Sequence, residues 1–188
     1  GMLHSCEVIT CVKERLKSAA VEHIVLDPVM VATSGDVLIT EQAVGCLKAF
    51  LPCATLITPN MAEASLLLGH PISPDQIKSS ARILGEVFGT SVLLKGGQIN
   101  GSSHQIADVF FHEDTKQAHV MTHQRINTKN THGSGCSLSA SIAAFLSLGD
   151  NLEVAVRKGC NYVHDAIKYG KDKQLGQGRG PINHFKRP

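Results

Sequence analysis

Hydrophobic residues recur at two different spacings along this chain, and segments with the two spacings alternate. A helical spacing of about three to four residues runs through segments 9–19, 41–51, 62–68 and 74–87. Short apolar runs separate these segments at residues 23–29, 54–60 and 91–95. Because such runs are typical of strands buried on both faces, the order predicts an α/β fold with a mostly parallel sheet flanked by helices.

The second half of the chain departs from this alternation. Residues 107–112 and 117–121 predict an antiparallel hairpin that turns through residues 113–116. Two helices follow, at about 136–148 and 152–169. Since no internal repeat, low-complexity tract or linker interrupts the chain, we expect residues 1–188 to form a single domain.

Polar residues stand where the predicted parallel strands end. Asp27 and Asn60 each lie beside a proline, and Lys95 precedes Gly96-Gly97. Ligands bind at the carboxyl ends of strands in such sheets, so each is a candidate site residue. Asp27 could hold Mg²⁺ or only begin a turn, and Lys95 could bind a nucleotide phosphate or only face solvent.

Asn60 and Glu63 are three residues apart, at the start of a predicted helix. This spacing matches a capping box, in which the two side chains bond to each other's backbone N–H groups. A carboxylate at the same place could position Mg²⁺ through water, because that ion retains water and needs few protein ligands. Both interpretations remain open at this point.

The segment from Asn127 to Leu138 joins a glycine turn to a helix start. Gly133 and Gly135 allow successive N–H groups to converge on one point, and the first N–H groups of the helix face the same point, which favours a phosphate. Cys136 stands at the junction, where a sulfur could act as nucleophile or proton acceptor. The alternative is a plain helix cap with a small buried cysteine. His132 is interpreted as a positioning residue.

Composition narrows the function classes. The 188 residues are 43% hydrophobic with a net charge of +2, and no basic stripe indicates nucleic acid as a partner. No apolar run is long enough to span a membrane, and the first residues do not resemble a signal peptide. The six cysteines show no Cys-x-x-Cys spacing. We therefore expect free thiols, a reducing compartment and a cytoplasmic location.

Several motifs, taken in order along the chain, resemble one family. They are Leu26-Asp27-Pro28-Val29-Met30 with Ser34-Gly35, Thr58-Pro59-Asn60 with Glu63-Ala64, Leu94-Lys95-Gly96-Gly97, Thr131-His132-Gly133-Ser134-Gly135-Cys136, and Gly178-Arg179-Gly180-Pro181-Ile182-Asn183. The chain is similar to the hydroxymethylpyrimidine and phosphomethylpyrimidine kinases of thiamine biosynthesis, within the ribokinase-like superfamily.

The resemblance implies a three-layer ribokinase-like fold and two phosphoryl transfers from ATP, first to the hydroxymethyl group of the pyrimidine and then to its monophosphate. Cys136 would accept the hydroxyl proton or orient the substrate through its S–H group. The implied site residues are Gly133, Ser134, Gly135 and Cys136 for the anion hole, Lys95, Asn60 and Thr131 for ATP, Glu63 and Asp27 for Mg²⁺, and Val29 and Met2 for the pyrimidine.

One departure from the family concerns the start of the chain, because the resemblance implies a first βαβ unit before Gly1. Either the sequence is a fragment of a longer protein or the gene product is truncated. The sheet would then have an unprotected edge, and the pyrimidine pocket would lack a wall, so we expect weak activity from these residues alone. A partner chain could cover that edge, which favours a homodimer. Two alternatives stay open, a pyridoxal or pyridoxine kinase of the same superfamily and a non-catalytic nucleotide-binding fragment.

Overall fold

The structure, a computed structural model, describes residues 2–31, 37–97 and 104–185. Ser34 and Gly35 of the Asp-Pro motif lie outside these ranges. Within them no helix has both the length and the apolarity that crossing a membrane requires. The elements in chain order are α1 (Cys6–Ser18), β1 (Val25–Leu26), α2 (Glu41–Phe50), β2 (Leu56–Ile57), α3 (Met61–Leu68), α4 (Ile77–Phe88), β3 (Ser91–Gly97), β4 (Gln105–His112), β5 (Gln117–Gln124), α5 (Ser134–Ser147) and α6 (Leu152–Gly170).

Side-chain caps define where several helices begin. The hydroxyls of Ser5 and Thr40 accept a hydrogen bond from the first turns of α1 and α2, and the Asn151 side chain caps α6 in the same way. Gly69 and Gly89 end α3 and α4 in the left-handed conformation, which glycine adopts at little cost. The helix boundaries therefore lie within a few residues of those predicted from the sequence.

The first two strands are shorter than the apolar runs that predicted them. Only Val25–Leu26 and Leu56–Ile57 pair as strands. Pro28 and Pro59 have no backbone N–H group to donate, so each limits how far the ladder can continue. Of the remaining apolar residues, Ala54 still belongs to the core and Ile24 packs against it.

The sheet has the order β1-β2-β3-β4-β5 among the described strands. β1, β2 and β3 pair in parallel, whereas β4 is antiparallel to both of its neighbours. Four of the five described strands therefore point the same way, and the predicted hairpin is confirmed as β4 and β5. The carboxyl ends of β1, β2 and β3 meet at one edge of the sheet.

Alternating side chains of the sheet supply two separate hydrophobic cores. One face packs against α1 to α4 through residues such as Ile57, Leu94 and Phe111. The opposite face packs against α5 and α6 through residues such as Leu93 and Phe110. The result is a helix–sheet–helix arrangement in three layers, which confirms the predicted fold class.

The expectation of six free thiols was wrong. Cys6 at the start of α1 and Cys46 in α2 form a disulfide with a Cα–Cα distance of 5.5 Å. The two cysteines are 40 residues apart, and only the packing of α1 against α2 brings them within bonding range. Sequence spacing carries no signal of such a pair. The free cysteines in the described ranges are Cys11, Cys53, Cys136 and Cys160.

Candidate functional site

A cavity of about 640 Å³ lies beside the carboxyl ends of the parallel strands and the start of α5. Met2 is not among its lining residues and is 48% exposed at the beginning of the chain. The other ten predicted site residues line it together. They are Asp27, Val29, Asn60, Glu63, Lys95, Thr131, Gly133, Ser134, Gly135 and Cys136.

Asp27 and Lys95 form an ion pair at the floor of the cavity. The Lys95 Nζ lies 3.0 Å from the Asp27 Oδ1, and the Thr58 hydroxyl donates a hydrogen bond of 2.8 Å to the same oxygen. Both charged side chains are largely shielded from water, with 18% of the lysine and 7% of the aspartate side chain exposed. Each charge therefore depends on its partner, because an unpaired buried charge is costly.

The backbone bends sharply after Lys95. Gly96 has φ +83°, and the pairing of β3 with β4 shifts register between Leu94 and Gly97. The Asp108 side chain accepts a 2.9 Å hydrogen bond from the Gly96 N–H group. Burial raises the pKa of the Asp108 carboxyl, although this hydrogen bond acts in the opposite direction. This bulge ends the regular ladder where Lys95 reaches into the cavity.

The geometry of Glu63 is compatible with both of its predicted roles, the capping box and the positioning of Mg²⁺. The Asn60 N–H group donates to the Glu63 Oε2 at 2.8 Å, and the Glu63 N–H group donates to the Asn60 Oδ1 at 2.9 Å, which completes a capping box. The Glu63 residue is only 3% exposed, and burial raises the pKa of its carboxyl, with a further rise from nearby Asp27. A backbone hydrogen bond from Met30 also acts on this carboxylate. A carboxylate has about four acceptor positions, so these bonds are compatible with a bound cation.

The start of α5 presents backbone donors to the cavity. Gly133 adopts φ +85°, so the chain turns directly into the helix. The carbonyls of Thr131 and His132, one turn earlier, accept from the N–H groups of Ser134 and Ile182. The N–H groups of Gly135 and the following residue are therefore available to a ligand, at the positive end of the helix dipole.

Gly135 also brings this helix start to the ion pair. A Cβ atom placed on Gly135 would lie 3.4 Å from the Asp27 Oδ2 and 3.8 Å from the Lys95 Nζ. The helix start and both members of the ion pair thus form one region, in which the Asp27 carboxylate lies nearer to Gly135 than the Lys95 ammonium does. Such a region binds a phosphate group through N–H donors and an ammonium together.

The segment before α5 is held in place by the end of the chain. The His132 N–H group donates to the Gly180 carbonyl, and the Ile182 N–H group donates to the His132 carbonyl. The buried Asn130 side chain donates to the carbonyls of Gly170 and Lys173 at 2.8 and 2.6 Å. The backbone of His132 therefore holds the glycine turn in place, and the positioning role of its side chain stays a prediction.

Cys136 lies in the first turn of α5 and is exposed. It borders the cavity on one side and a shallow apolar groove of about 460 Å³ on the other. In that groove His184 contacts the Tyr162 hydroxyl at 3.0 Å and the Ser137 hydroxyl at 3.4 Å. The sulfur is thus accessible next to the free N–H donors of the helix start.

Three residues of the site had no role assigned from the sequence. Thr58 bonds to Asp27, Asp108 fixes the Gly96 bend, and Arg179 lines the cavity. The signal for Asp108 was present, because it is a charged residue at an inward position of an otherwise apolar strand. Thr58 and Arg179 depend on contacts between distant segments and give no comparable local signal.

A family model described as phosphomethylpyrimidine kinase matches residues 1–183. The hydroxymethylpyrimidine/phosphomethylpyrimidine kinase of Rhizobium meliloti is 40% identical over 190 residues, which cover 100% of this chain and 70% of the relative. The thiamine biosynthetic bifunctional enzyme of Arabidopsis thaliana is 41% identical, over 98% of this chain and 36% of that enzyme. The chain therefore spans only part of each of these relatives.

Solved structures with the same fold are also kinases. The pyridoxal kinase of Bacillus subtilis, solved with ADP, has a TM-score of 0.85 at 29% identity and is matched over 98% of this chain and 68% of its own. The phosphomethylpyrimidine kinase of Clostridium difficile has a TM-score of 0.71 at 30% identity, over 89% of this chain and 67% of its own.

Proposed function

The chain belongs to the phosphomethylpyrimidine kinase family, and from this we propose that the protein transfers the γ-phosphoryl group of ATP to hydroxymethylpyrimidine and then to its monophosphate, in thiamine diphosphate biosynthesis. The observation that carries the proposal is the convergence of the α5 start with the Asp27–Lys95 pair in one cavity. Phosphoryl transfer depends mainly on positioning and on stabilising charge, and this arrangement supplies both.

The phosphate side of the reaction is assigned to the helix start and Lys95. The N–H groups of Gly135 and Cys136 would donate to the oxygens of the transferring group, and the Lys95 ammonium would balance their charge. These donors are fixed before the substrate arrives, because Gly133 and the chain end hold the turn. Asn60 and Thr131, which also line the cavity, are assigned to ATP.

Cys136 is assigned to the alcohol. In the transfer, the hydroxyl oxygen forms a bond to the γ-phosphorus while the bond from that phosphorus to the bridging oxygen of ADP breaks. The hydroxyl proton passes to the Cys136 sulfur or to solvent, and the first of these makes the sulfur a general base. Val29 also lines the cavity, and its contact with the pyrimidine, like that of Met2, stays a prediction.

The acidic residues of the cavity fit Mg²⁺. Asp27 directs one oxygen toward the α5 start, Glu63 has one oxygen outside the capping box, and the two carboxylates repel each other. A hard cation held by few carboxylates and by phosphate oxygens suits this donor set. When bound, Mg²⁺ would neutralise charge on the phosphates, and Asp27 and Glu63 would hold it.

A second candidate is phosphorylation of pyridoxal. The pyridoxal kinase of Staphylococcus aureus, solved with pyridoxal and an ATP analogue, has a TM-score of 0.83 at 28% identity. Both substrates carry a hydroxymethyl group on a planar nitrogen ring, so the phosphate side of the site serves either. The apolar residues Val29, Val31 and Leu38 line the remaining wall, where ring preference would be decided.

The test compares kcat/KM for hydroxymethylpyrimidine and pyridoxal with ATP and Mg²⁺. We expect the pyrimidine to be preferred and Cys136→Ala to reduce its turnover by about 100-fold or more. Cys53→Ala is the matched control, since Cys53 is also exposed but does not line the cavity. A pyridoxal preference would favour the second candidate, and ATP binding without phosphorylation of either alcohol would indicate the non-catalytic fragment. A homodimer and a cytoplasmic location stay predictions.

A further inference from the structure

Three potential metal ligands from different elements meet next to the cavity wall. Asp108 of β4, His123 of β5 and Cys160 of α6 place a carboxylate oxygen, an imidazole nitrogen and a sulfur within 4.8 Å of one another. Among the described residues this is the single group of three such side chains at that spacing. The Mg²⁺ residues assigned above belong to a different set.

The register of the hairpin brings two of the ligands together. Asp108 pairs with Met121 and Ile106 pairs with His123, so Asp108 and His123 are diagonal neighbours on one face of the β4–β5 pair. α6 packs against the same face and contributes Cys160 to the core there. The ligands therefore come from the hairpin and from α6, which begins 28 residues after the hairpin ends.

His123 supplies an independent indication of a missing partner. Its Nε2 is buried and has no hydrogen-bond partner among the described residues. Buried polar atoms are nearly always paired, so an unpaired ring nitrogen needs an explanation. The His164 ring stacks on the His123 ring with centroids 5.3 Å apart, which leaves the edge of His123 free to bind a ligand.

We propose that Asp108, His123 and Cys160 bind one zinc ion. Thiolate, imidazole and carboxylate are the ligands that zinc takes in proteins, and three of them leave a fourth position for water or substrate. Bonds of about 2.0–2.3 Å in a tetrahedron put ligand atoms roughly 3.5 Å apart. The three ligand atoms lie within 4.8 Å of one another, so side-chain rotations that move them by about 1 Å would bring them to this spacing. Magnesium is excluded by the sulfur, because that ion prefers oxygen ligands.

Zinc would connect the hairpin to α6 and restrain Asp108. One Asp108 oxygen accepts from the Gly96 N–H group, and a carboxylate can accept that bond while its other oxygen binds metal. The Cys160 thiol would release its proton to solvent as the thiolate binds the ion. Because Gly96 follows Lys95, and Asp108 and Gly96 both line the cavity, the ion would stiffen this wall of the phosphate site.

A cobalt titration tests the ligand set directly. Co²⁺ added to the purified 188-residue protein is expected to give a thiolate-to-metal absorption band at one equivalent, which Zn²⁺ then removes. Cys160→Ala should abolish the band, and His123→Phe should weaken binding at least about 100-fold. Cys53→Ala and His119→Phe are matched controls, and His119 lies two residues before Met121 on the same face of β5. The proposal is overturned if the wild type shows no band, or if Cys160→Ala retains it.

Thermal unfolding with and without zinc separates a loss of zinc binding from a change in the stability of the folded variant. His123→Phe removes the unpaired nitrogen, so the metal-free variant is expected to melt at or above the wild-type temperature. Zinc at 100 times its dissociation constant should raise the wild-type melting temperature by about 5 to 10 °C. An equal rise in His123→Phe would show that zinc binds elsewhere and would refute the site.

Discussion

Replacing Glu63 separates the structural and metal-binding roles that its position combines. Glu63→Gln removes the charge but keeps an oxygen that can accept from the Asn60 N–H group. Glu63→Ala removes both the charge and the acceptor. Both variants therefore lose the carboxylate, but only Glu63→Gln can keep the hydrogen bond of the capping box.

The expected stability effects have opposite signs. Glu63→Ala leaves the Asn60 N–H group without its acceptor, which costs about 1 to 3 kcal/mol of unfolding free energy. Burial raises the pKa of the Glu63 carboxyl, so the folded protein holds this proton to higher pH than the unfolded chain does. The contribution of this group to wild-type stability is then fully present below the ordinary glutamate pKa of 4.5 and is lost as pH rises through the higher pKa of the folded protein. Glu63→Gln has no carboxyl group to ionise, so it does not lose stability in this way and should be at least as stable as wild type at pH 8.

The expected activity effects are alike for the two variants. A carboxylate that positions Mg²⁺ through water contributes about 10- to 100-fold, so both variants should lose this much in kcat/KM. Urea unfolding at pH 5 and pH 8 gives the stability, and phosphoryl transfer over a range of Mg²⁺ concentrations gives the activity. Gln76→Ala is the control, because Gln76 completes a second capping box outside the cavity.

Two results would refute the reasoning. Wild-type turnover by Glu63→Gln at every Mg²⁺ concentration would mean that the carboxylate serves only as a cap. Destabilisation of Glu63→Gln as large as that of Glu63→Ala, at pH 8, would mean that the buried charge is not a cost. The control should lose some stability and no activity.

Two further variants test the surroundings of the phosphate site. Asp27→Asn should lower the unfolding free energy by about 3 kcal/mol, because it leaves the Lys95 ammonium without its carboxylate, and adding Lys95→Met should restore most of this in urea unfolding. No recovery in the double variant would contradict the ion-pair explanation. Gly180→Ala should cost about 1 to 3 kcal/mol, since its Cβ would lie 2.2 Å from the Asn130 Oδ1, whereas Gly178→Ala meets no atom within 4 Å and should melt like wild type. Equal melting temperatures for these two variants would refute the close contact.

The sequence by itself was sufficient for the helices and the hairpin, whereas it made the first two strands too long. Helix starts such as that of α3 depend on Asn60 and Glu63, which interact within one turn, and helix ends such as Gly69 depend on a single backbone conformation. The hairpin also follows from two alternating runs and a short turn. These are local interactions, so their residues are visible as patterns in the chain.

The sequence also placed the candidate site residues at strand ends, because parallel strands separated by helices must end at the same edge. It could not supply the distances between them. The contact of Asp27 with Lys95 joins residues 68 positions apart, and its length depends on the order and register of three strands.

Tertiary structure alone decided the pairings that have no periodic signal. Cys6 meets Cys46 only because α1 packs on α2, and Asp108, His123 and Cys160 meet only because α6 covers the hairpin. Met2 shows the same limit, since its predicted pocket depends on packing that sequence position does not report. Periodicity and capping depend on neighbours along the chain, whereas a site depends on which surfaces of the folded layers come into contact.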